Sequence, residues 1–232
     1  VVKKFKEKYR GDGGYTHDLI MGIYRDKLGD DENYLKERTS DMEYGLDYYD
    51  LVTYYEKKGN EAKAFETAKE GLANGEGRLK ELIEFMVKHY KRQNDYQNTM
   101  EFLIMQFEDE QGLENYKTVE KYCKASEWKS ISEKLYALAK KKPDVKADID
   151  YHNKDYEAIL DYVKNYTPLG FDLFYGFDEW AKRLEAHFPE EILKKYKQLV
   201  HDYISTKKIK NYSAARRYCD DVRRILLKDK RE

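Results

Sequence analysis

Proline is scarce in this chain: Pro143, Pro168 and Pro189 are the only three in 232 residues. With so few breakers, and with the 13 glycines gathered largely at turns, long stretches of Lys, Glu, Leu, Ala and Tyr are left free to run as helix. Cysteine is scarcer still. Cys123 and Cys219 do not make the disulfide framework of a secreted scaffold, and each follows a tyrosine inside a helical pattern, where a free thiol is expected to act as a small buried hydrophobe. Long apolar runs are missing, since charge breaks each one within a few residues, so no helix of this sequence is expected to span a bilayer. The cytoplasm is the expected compartment. Charge of one sign is missing too: 44 Lys and Arg against 45 Asp and Glu leave a formal charge of -1, and no global field gathers nucleic acid, anionic lipid or acidic substrate. Val1 stands where a Met would begin, so the sequence reads as part of a longer protein.

Catalytic and cofactor signatures are equally thin. His17, His89, His152, His187 and His201 are at least 14 residues apart, and none has a second His or Cys one helical turn away to make a ligand pair. His89 and His152 instead fit the C-terminal ends of helices, where a positive group meets the negative end of the dipole. Gly11-Asp12-Gly13-Gly14 lacks the Lys-Ser/Thr of a phosphate loop, and Gly71 to Gly77 reads as a hairpin turn. No metal, cofactor or catalytic residue is assigned. Residues 101-114 hold five acids and no base, which makes either a solvated hairpin tip or a patch for a basic peptide.

What the chain has is tyrosine, 23 of them, with 41% apolar residues overall. Many of the rings recur at three, four or seven positions, as in Tyr44, Tyr48, Leu51 and Tyr55, and again in Tyr196, Leu199, Tyr203 and Ile204. Such stripes belong to amphipathic helices packed through an aromatic seam, each ring burying area while its hydroxyl reaches a partner at the margin. Helices are predicted near 40-58, 60-73, 76-92, 94-109, 113-124, 126-141, 144-152, 154-166, 171-187, 190-208 and 211-228. Residues 1-38 are expected to form an irregular helical cap or connector, and 39-232 a helical-repeat domain of about five to six hairpins.

Four of these helices open with an acid or asparagine followed by a ring: Asp95-Tyr96, Glu127-Trp128, Asp155-Tyr156 and Asn211-Tyr212, spaced 32, 28 and 56 residues apart. Periods of this size belong to solenoids, in which a two-helix hairpin buries its apolar side only by stacking, and the opening ring is expected to plug the joint between hairpins. Tyr48, Leu51, Tyr55, Gly59-Asn60, Ala64 and Ala68 resemble the tetratricopeptide motif, with its large ring, leucine, second ring, turn glycine and two small packing residues. Tyr90, Asn94-Asp95-Tyr96, Thr99 and Leu103 fill most of the same slots. The resemblance implies an all-α fold of antiparallel helical hairpins stacked as a right-handed, tetratricopeptide-like superhelix. The stretches Tyr151-His152-Asn153-Lys154-Asp155-Tyr156-Glu157-Ala158-Ile159-Leu160, Phe188-Pro189-Glu190-Glu191 and Asn211-Tyr212-Ser213-Ala214-Ala215-Arg216-Arg217-Tyr218 further resemble the helical region downstream of the zinc finger in bacterial and archaeal SWIM-domain proteins. That second resemblance covers roughly 40-232 and implies an intracellular, DNA- or protein-associated role. The Cys-x-Cys and Cys-x-His of that zinc finger are absent from this sequence.

Three functions follow as expectations. The first is a non-catalytic scaffold whose groove holds a protein or peptide through Tyr49, Thr53, Glu56, Glu84, Lys88 and Lys91, the outward positions of the first helices of two hairpins. The second is a nucleic-acid-associated accessory role for the final helix. Residues 207-232 hold ten bases against four acids, and Arg216, Arg217, Arg223 and Arg224 share one side while Ala215, Tyr218, Cys219, Val222, Ile225 and Leu226 form the other. The third is a ligand pocket or helical enzyme site walled by Phe171, Phe174, Tyr175, Phe177 and Trp180. The aromatic spacing there fits plain helix packing as well. A spacer or self-association role is also open, without a location in the sequence.

Overall fold

The computed structural model describes residues 19-40, 42-139, 142-167 and 176-229. Among these the chain is all-α: a π-helical turn, Ile23–Leu28, precedes α1 (Asp31–Arg38), α2 (Gly45–Lys57), α3 (Glu61–Asn74), α4 (Lys80–Arg92), α5 (Tyr96–Asp109), α6 (Leu113–Tyr122), α7 (Ala125–Ala139), α8 (Pro143–His152), α9 (Tyr156–Asn165), α10 (Phe177–Leu184), α11 (Pro189–Ser205) and α12 (Ile209–Asp229). No strand occurs among the described residues, and one isolated parallel bridge joins Tyr44 to Glu76. The chain divides into two compact units, Val1–Glu110 and Gln111–Glu232.

In unit 1, α2 packs on α3 and α4 on α5, while α4 also meets α2 and α3, a packing consistent with stacked helical hairpins. The joints explain why. Gly59, at φ 71°, donates to the Glu56 carbonyl and Asn60 N–H to the Tyr55 carbonyl, ending α2 in a Schellman turn. Asn60 is at the same time the N-cap of α3, its side chain accepting from Lys63 N–H at 3.1 Å. Asn94 and Asp95 repeat this between α4 and α5, with φ 55° at Asn94 and the Asp95 carboxylate accepting from Asn98 N–H at 3.1 Å. Lys154 and Asp155 repeat it between α8 and α9 in unit 2, at φ 62° and 3.2 Å. One left-handed residue followed by one capping side chain thus turns the chain within three residues.

Close approach closes unit 1. A Cβ on Gly71 would lie 2.5 Å from Tyr48 Cβ and 2.7 Å from Leu82, and one on Gly45 would lie 2.3 Å from the Arg78 carbonyl oxygen. Ala64 and Ala68 are fully buried beside Tyr48, Val52, Leu82 and Met86. Residues 23-38 are fastened to α2 by charge. The Asp50 carboxylate accepts from Arg25 at 2.7 Å, Arg38 at 2.8 Å and the Tyr34 hydroxyl at 2.9 Å, while Arg38 also reaches Asp47 at 2.9 Å. Arg38 is buried. Burial alone would raise the Asp50 carboxyl, but the Arg38 hydrogen bond and charge outweigh it and hold the group below its ordinary value.

In unit 2, α8 meets α6, α7 and α9, α11 packs on α12, and α9 and α10 pack on each other and on α11. Its core joins Ile159, Leu160, Val163, Phe177, Trp180, Leu184, Tyr196, Leu199 and Tyr218, with Tyr196 and Tyr218 stacked at 5.7 Å. Buried Lys195 donates from Nζ to the carbonyls of Lys164 at 2.6 Å and Tyr166 at 2.5 Å, capping the C-terminal end of α9 with a full charge.

Several expectations change at the side-chain level. Tyr44 precedes α2 and is 52% exposed, because the Asp47 carboxylate accepts from its N–H and starts the helix one residue later. The joint-plugging rings are not sealed: Tyr96, Trp128 and Tyr156 are half-buried, and Tyr212 is exposed on α12, which begins at Ile209, two residues before the expected start. Ser126 lies inside α7 rather than in a turn. Cys219 and Leu226 leave the buried side of α12, whose inward stripe is Ala215, Tyr218, Val222 and Ile225, and Cys123 is only half-buried.

Candidate functional site

The outward residues of α2 and α4 occupy one face of unit 1. Tyr49, Thr53 and Glu56 are half-buried; Glu84, Lys88 and Lys91 are exposed. Burial first, then the negative charges of Glu56, Glu81 and Glu84, push the Tyr49 phenol up, so this ring stands among three carboxylates. Glu56 and Lys88 line a small cleft with Glu61 and Ala64 of α3 and with Phe85, His89 and Arg92 of α4. Two of its lining residues, Phe85 and His89, are rings in a wider aromatic cluster. The His89 ring stacks on Phe65 at 4.3 Å and lies 6.2 Å from Phe85, and Tyr90 stacks on Phe102 at 5.6 Å. Glu56 and Glu61 come to the cleft from α2 and α3, and Lys88 and Arg92 come from α4, with no ion pair between the acids and the bases among the described residues.

Of the six groove residues read from sequence, the structure brings together Tyr49, Glu56, Glu84 and Lys88. Thr53 spends its hydroxyl on the Asp50 carbonyl at 2.8 Å, and Lys91 lies outside the cleft. Sequence reasoning missed Glu61, Glu81, Phe85, His89 and Arg92. The four-residue spacing of Phe85, His89 and of Lys88, Arg92 carried a signal for one helix face. Glu61 carried none, since only the joint at Lys58-Gly59-Asn60 brings it to α4.

The basic face of α12 separates into two pairs. Arg217 reaches Asp178 at 2.9 Å and the Tyr218 hydroxyl at 3.1 Å, and Arg224 holds Glu185 through two bonds of 2.6 Å and Asp221 at 2.9 Å. These two arginines tie α12 to α10. Arg216 and Arg223 remain exposed, with no carboxylate paired to them among the described residues. Of the expected aromatic wall, Phe171, Phe174 and Tyr175 lie outside the described residues, while Phe177 and Trp180 are buried in the unit 2 core.

The histidines do different work from metal ligation. His152 Nε2 lies 2.7 Å from Glu120 across α6 and α8, and His187 stacks on Tyr156 at 3.8 Å. Among the described residues no three His, Cys, Asp or Glu side chains come together so as to hold a metal ion. Comparison with models of known families, with curated proteins and with solved structures gives no match. The expected affiliation with SWIM zinc-finger proteins is therefore corrected, because no zinc-binding cluster accompanies the helical residues that carried it. Among the described residues no helix is long and apolar enough to cross a membrane.

Proposed function

We propose that this chain is a non-catalytic interaction scaffold whose hairpins stack in the tetratricopeptide manner within each unit, and that the α2–α4 face of unit 1 holds a peptide or protein segment. The observation that carries the reading is the cleft between α2, α3 and α4, which Glu56 and Glu61 line together with Lys88 and Arg92, with no ion pair between them among the described residues, beside the Phe85 and His89 rings. Opposed charges that remain unpaired at a partly apolar cleft suit a segment that brings both an acid and a base, with an aliphatic or aromatic anchor between them. Tyr49 and Glu84 extend the same face.

The test is selection from a random peptide library on the immobilised protein, followed by titration of the selected peptides. Lys88→Ala and Tyr49→Ala are expected to weaken binding at least tenfold with helix content unchanged, as for residues central to a small interface. Peptides that bind both variants as well as the parent would place the groove elsewhere.

A further inference from the structure

The final helix has three faces, and the fold uses two. Ala215, Tyr218 and Ile225 are buried, with Val222 half-buried beside them. Arg217 and Arg224 reach sideways to Asp178 of α10 and to Glu185 at its C-terminal cap. The third face carries Ile209, Tyr212, Arg216, Cys219, Arg223 and Leu226, alternately three and four apart, which is the spacing of a two-helix seam. All six are exposed: Ile209 is 89%, Tyr212 48% and Leu226 38% accessible. An isoleucine and a leucine at the two ends, with two arginines between that no carboxylate pairs among the described residues, is a poor solvent-facing surface and a good seam for another helix.

We infer that this seam binds α12 of a second copy of the chain, antiparallel, to form a two-fold dimer. Charge selects both the occupant and the direction. A parallel pair would set Arg216 against Arg216 and Arg223 against Arg223. In the antiparallel pair, Ile209 meets Leu226 of the second copy, Arg223 lies over the Tyr212 ring of the second copy, and Arg216 meets Cys219 with the Asp220 carboxylate beside it. The two-fold axis makes each of these contacts twice. α12 is 21 residues long, or about 31 Å. The exposed parts of the six side chains on two copies amount to roughly 1,000 Å², the lower end of a specific interface, so the dimer is expected to be weak and reversible.

Sedimentation velocity of the whole chain across the micromolar range tests this. The parent is expected to pass from monomer to dimer, and Ile209→Asp/Leu226→Asp, changes at exposed positions, is expected to stay monomeric with unchanged circular dichroism. Arg216→Asp and Asp220→Arg are each expected to weaken association at least tenfold by setting like charges together, and the double exchange is expected to restore it. In a Cys123→Ser background, a short bismaleimide should link two copies through Cys219 and fail after Cys219→Ser. A monomer at all concentrations, a dimer indifferent to Ile209→Asp/Leu226→Asp, or a charge exchange that does not rescue would each overturn the proposal, the first by leaving the seam to a different protein. None of these outcomes depends on the peptide cleft of unit 1.

Discussion

The two units bury charge in different ways. Unit 1 buries a guanidinium: Arg38 is held by Asp47 and by the half-buried Asp50, which Arg25 and the Tyr34 hydroxyl also reach and whose charged form is the favoured one. Among the described residues, unit 2 buries one carboxylate, Asp150, and one ammonium, Lys195. Lys146 pairs with Asp150 at 2.8 Å and lies 4.7 Å from the Tyr136 and Tyr162 ring centres, and Lys195 is answered by two backbone carbonyls. Its own acids are less well served, since burial pushes the Asp144 and Asp148 carboxyls up. The lesson is that similar helical hairpins are locked by different chemistry, and the locks should open under different conditions.

The largest expected effect breaks the unit 1 lock. Asp50→Ala leaves Arg38, only 6% exposed along its side chain, without its main counter-charge, and is expected to cost about 3–5 kcal/mol, the range for breaking a buried ion pair by removing one partner. Asp150→Ala in unit 2 should cost less, because the two tyrosine rings still face the Lys146 ammonium. Urea melts of the two variants compare them. Equal losses would erase the distinction between the units' locks.

Core truncation sharpens the comparison within unit 2. Trp180 is 5% exposed and packed among Tyr151, Phe177 and Leu184, so Trp180→Ala is expected to cost about 3–5 kcal/mol. Trp128 is half-buried and touches Tyr116 edge-on at 5.4 Å, so Trp128→Ala should cost about half as much. The sequence marks Trp128 as a ring expected to plug a joint between hairpins. Its place after a turn was legible, but the depth of a ring depends on the helices that cover it.

Acid should separate the units by about one structural transition. Because the Asp50 carboxyl is depressed in the folded chain, the stability it gives is full above roughly pH 4 and is lost as pH falls through its folded value. Asp144 and Asp148 are raised, so their penalty on folding is present above their folded values and lifts as pH falls. Both tryptophans, Trp128 and Trp180, lie in unit 2, whereas far-UV ellipticity reports both units. On acidification the ellipticity should begin to fall at a higher pH than the tryptophan emission changes. Coincident transitions would mean that the units unfold together.

What the sequence made legible was local. Helix positions followed from the scarcity of proline, and the turns before Asp95 and Asp155 were visible because an asparagine or lysine in the left-handed region followed by a capping acid is a short-range signal. The locks were not visible. Arg38 and Asp50 are 12 residues apart on different helices, and Lys195 reaches carbonyls some 30 residues earlier, so their meeting depends on how helices cross. The cleft shows the same division: Lys88 and Glu56 lie on outward positions that periodicity finds, while Glu61 arrives only through the fold.

The smallest effects test how far α12 is held by charge. Arg223 and Arg224 are neighbours in sequence with the same formal charge, and sequence alone treats them alike. The structure does not. Arg224 grips Glu185, itself 16% exposed along its side chain, through two bonds of 2.6 Å and also meets Asp221. A two-pronged guanidinium–carboxylate pair with a half-sheltered acid is stronger than an ordinary surface pair, so Arg224→Ala is expected to cost about 1 kcal/mol. Arg223 has no paired carboxylate among the described residues, and Arg223→Ala should change stability by less than about 0.5 kcal/mol when measured in dilute solution. Thermal melts of the two variants at low protein concentration give the difference directly. Equal and negligible losses would mean that solvent already screens the Arg224–Glu185 pair, and that α12 is held on α10 and α11 by its Tyr218 and Ile225 stripe alone.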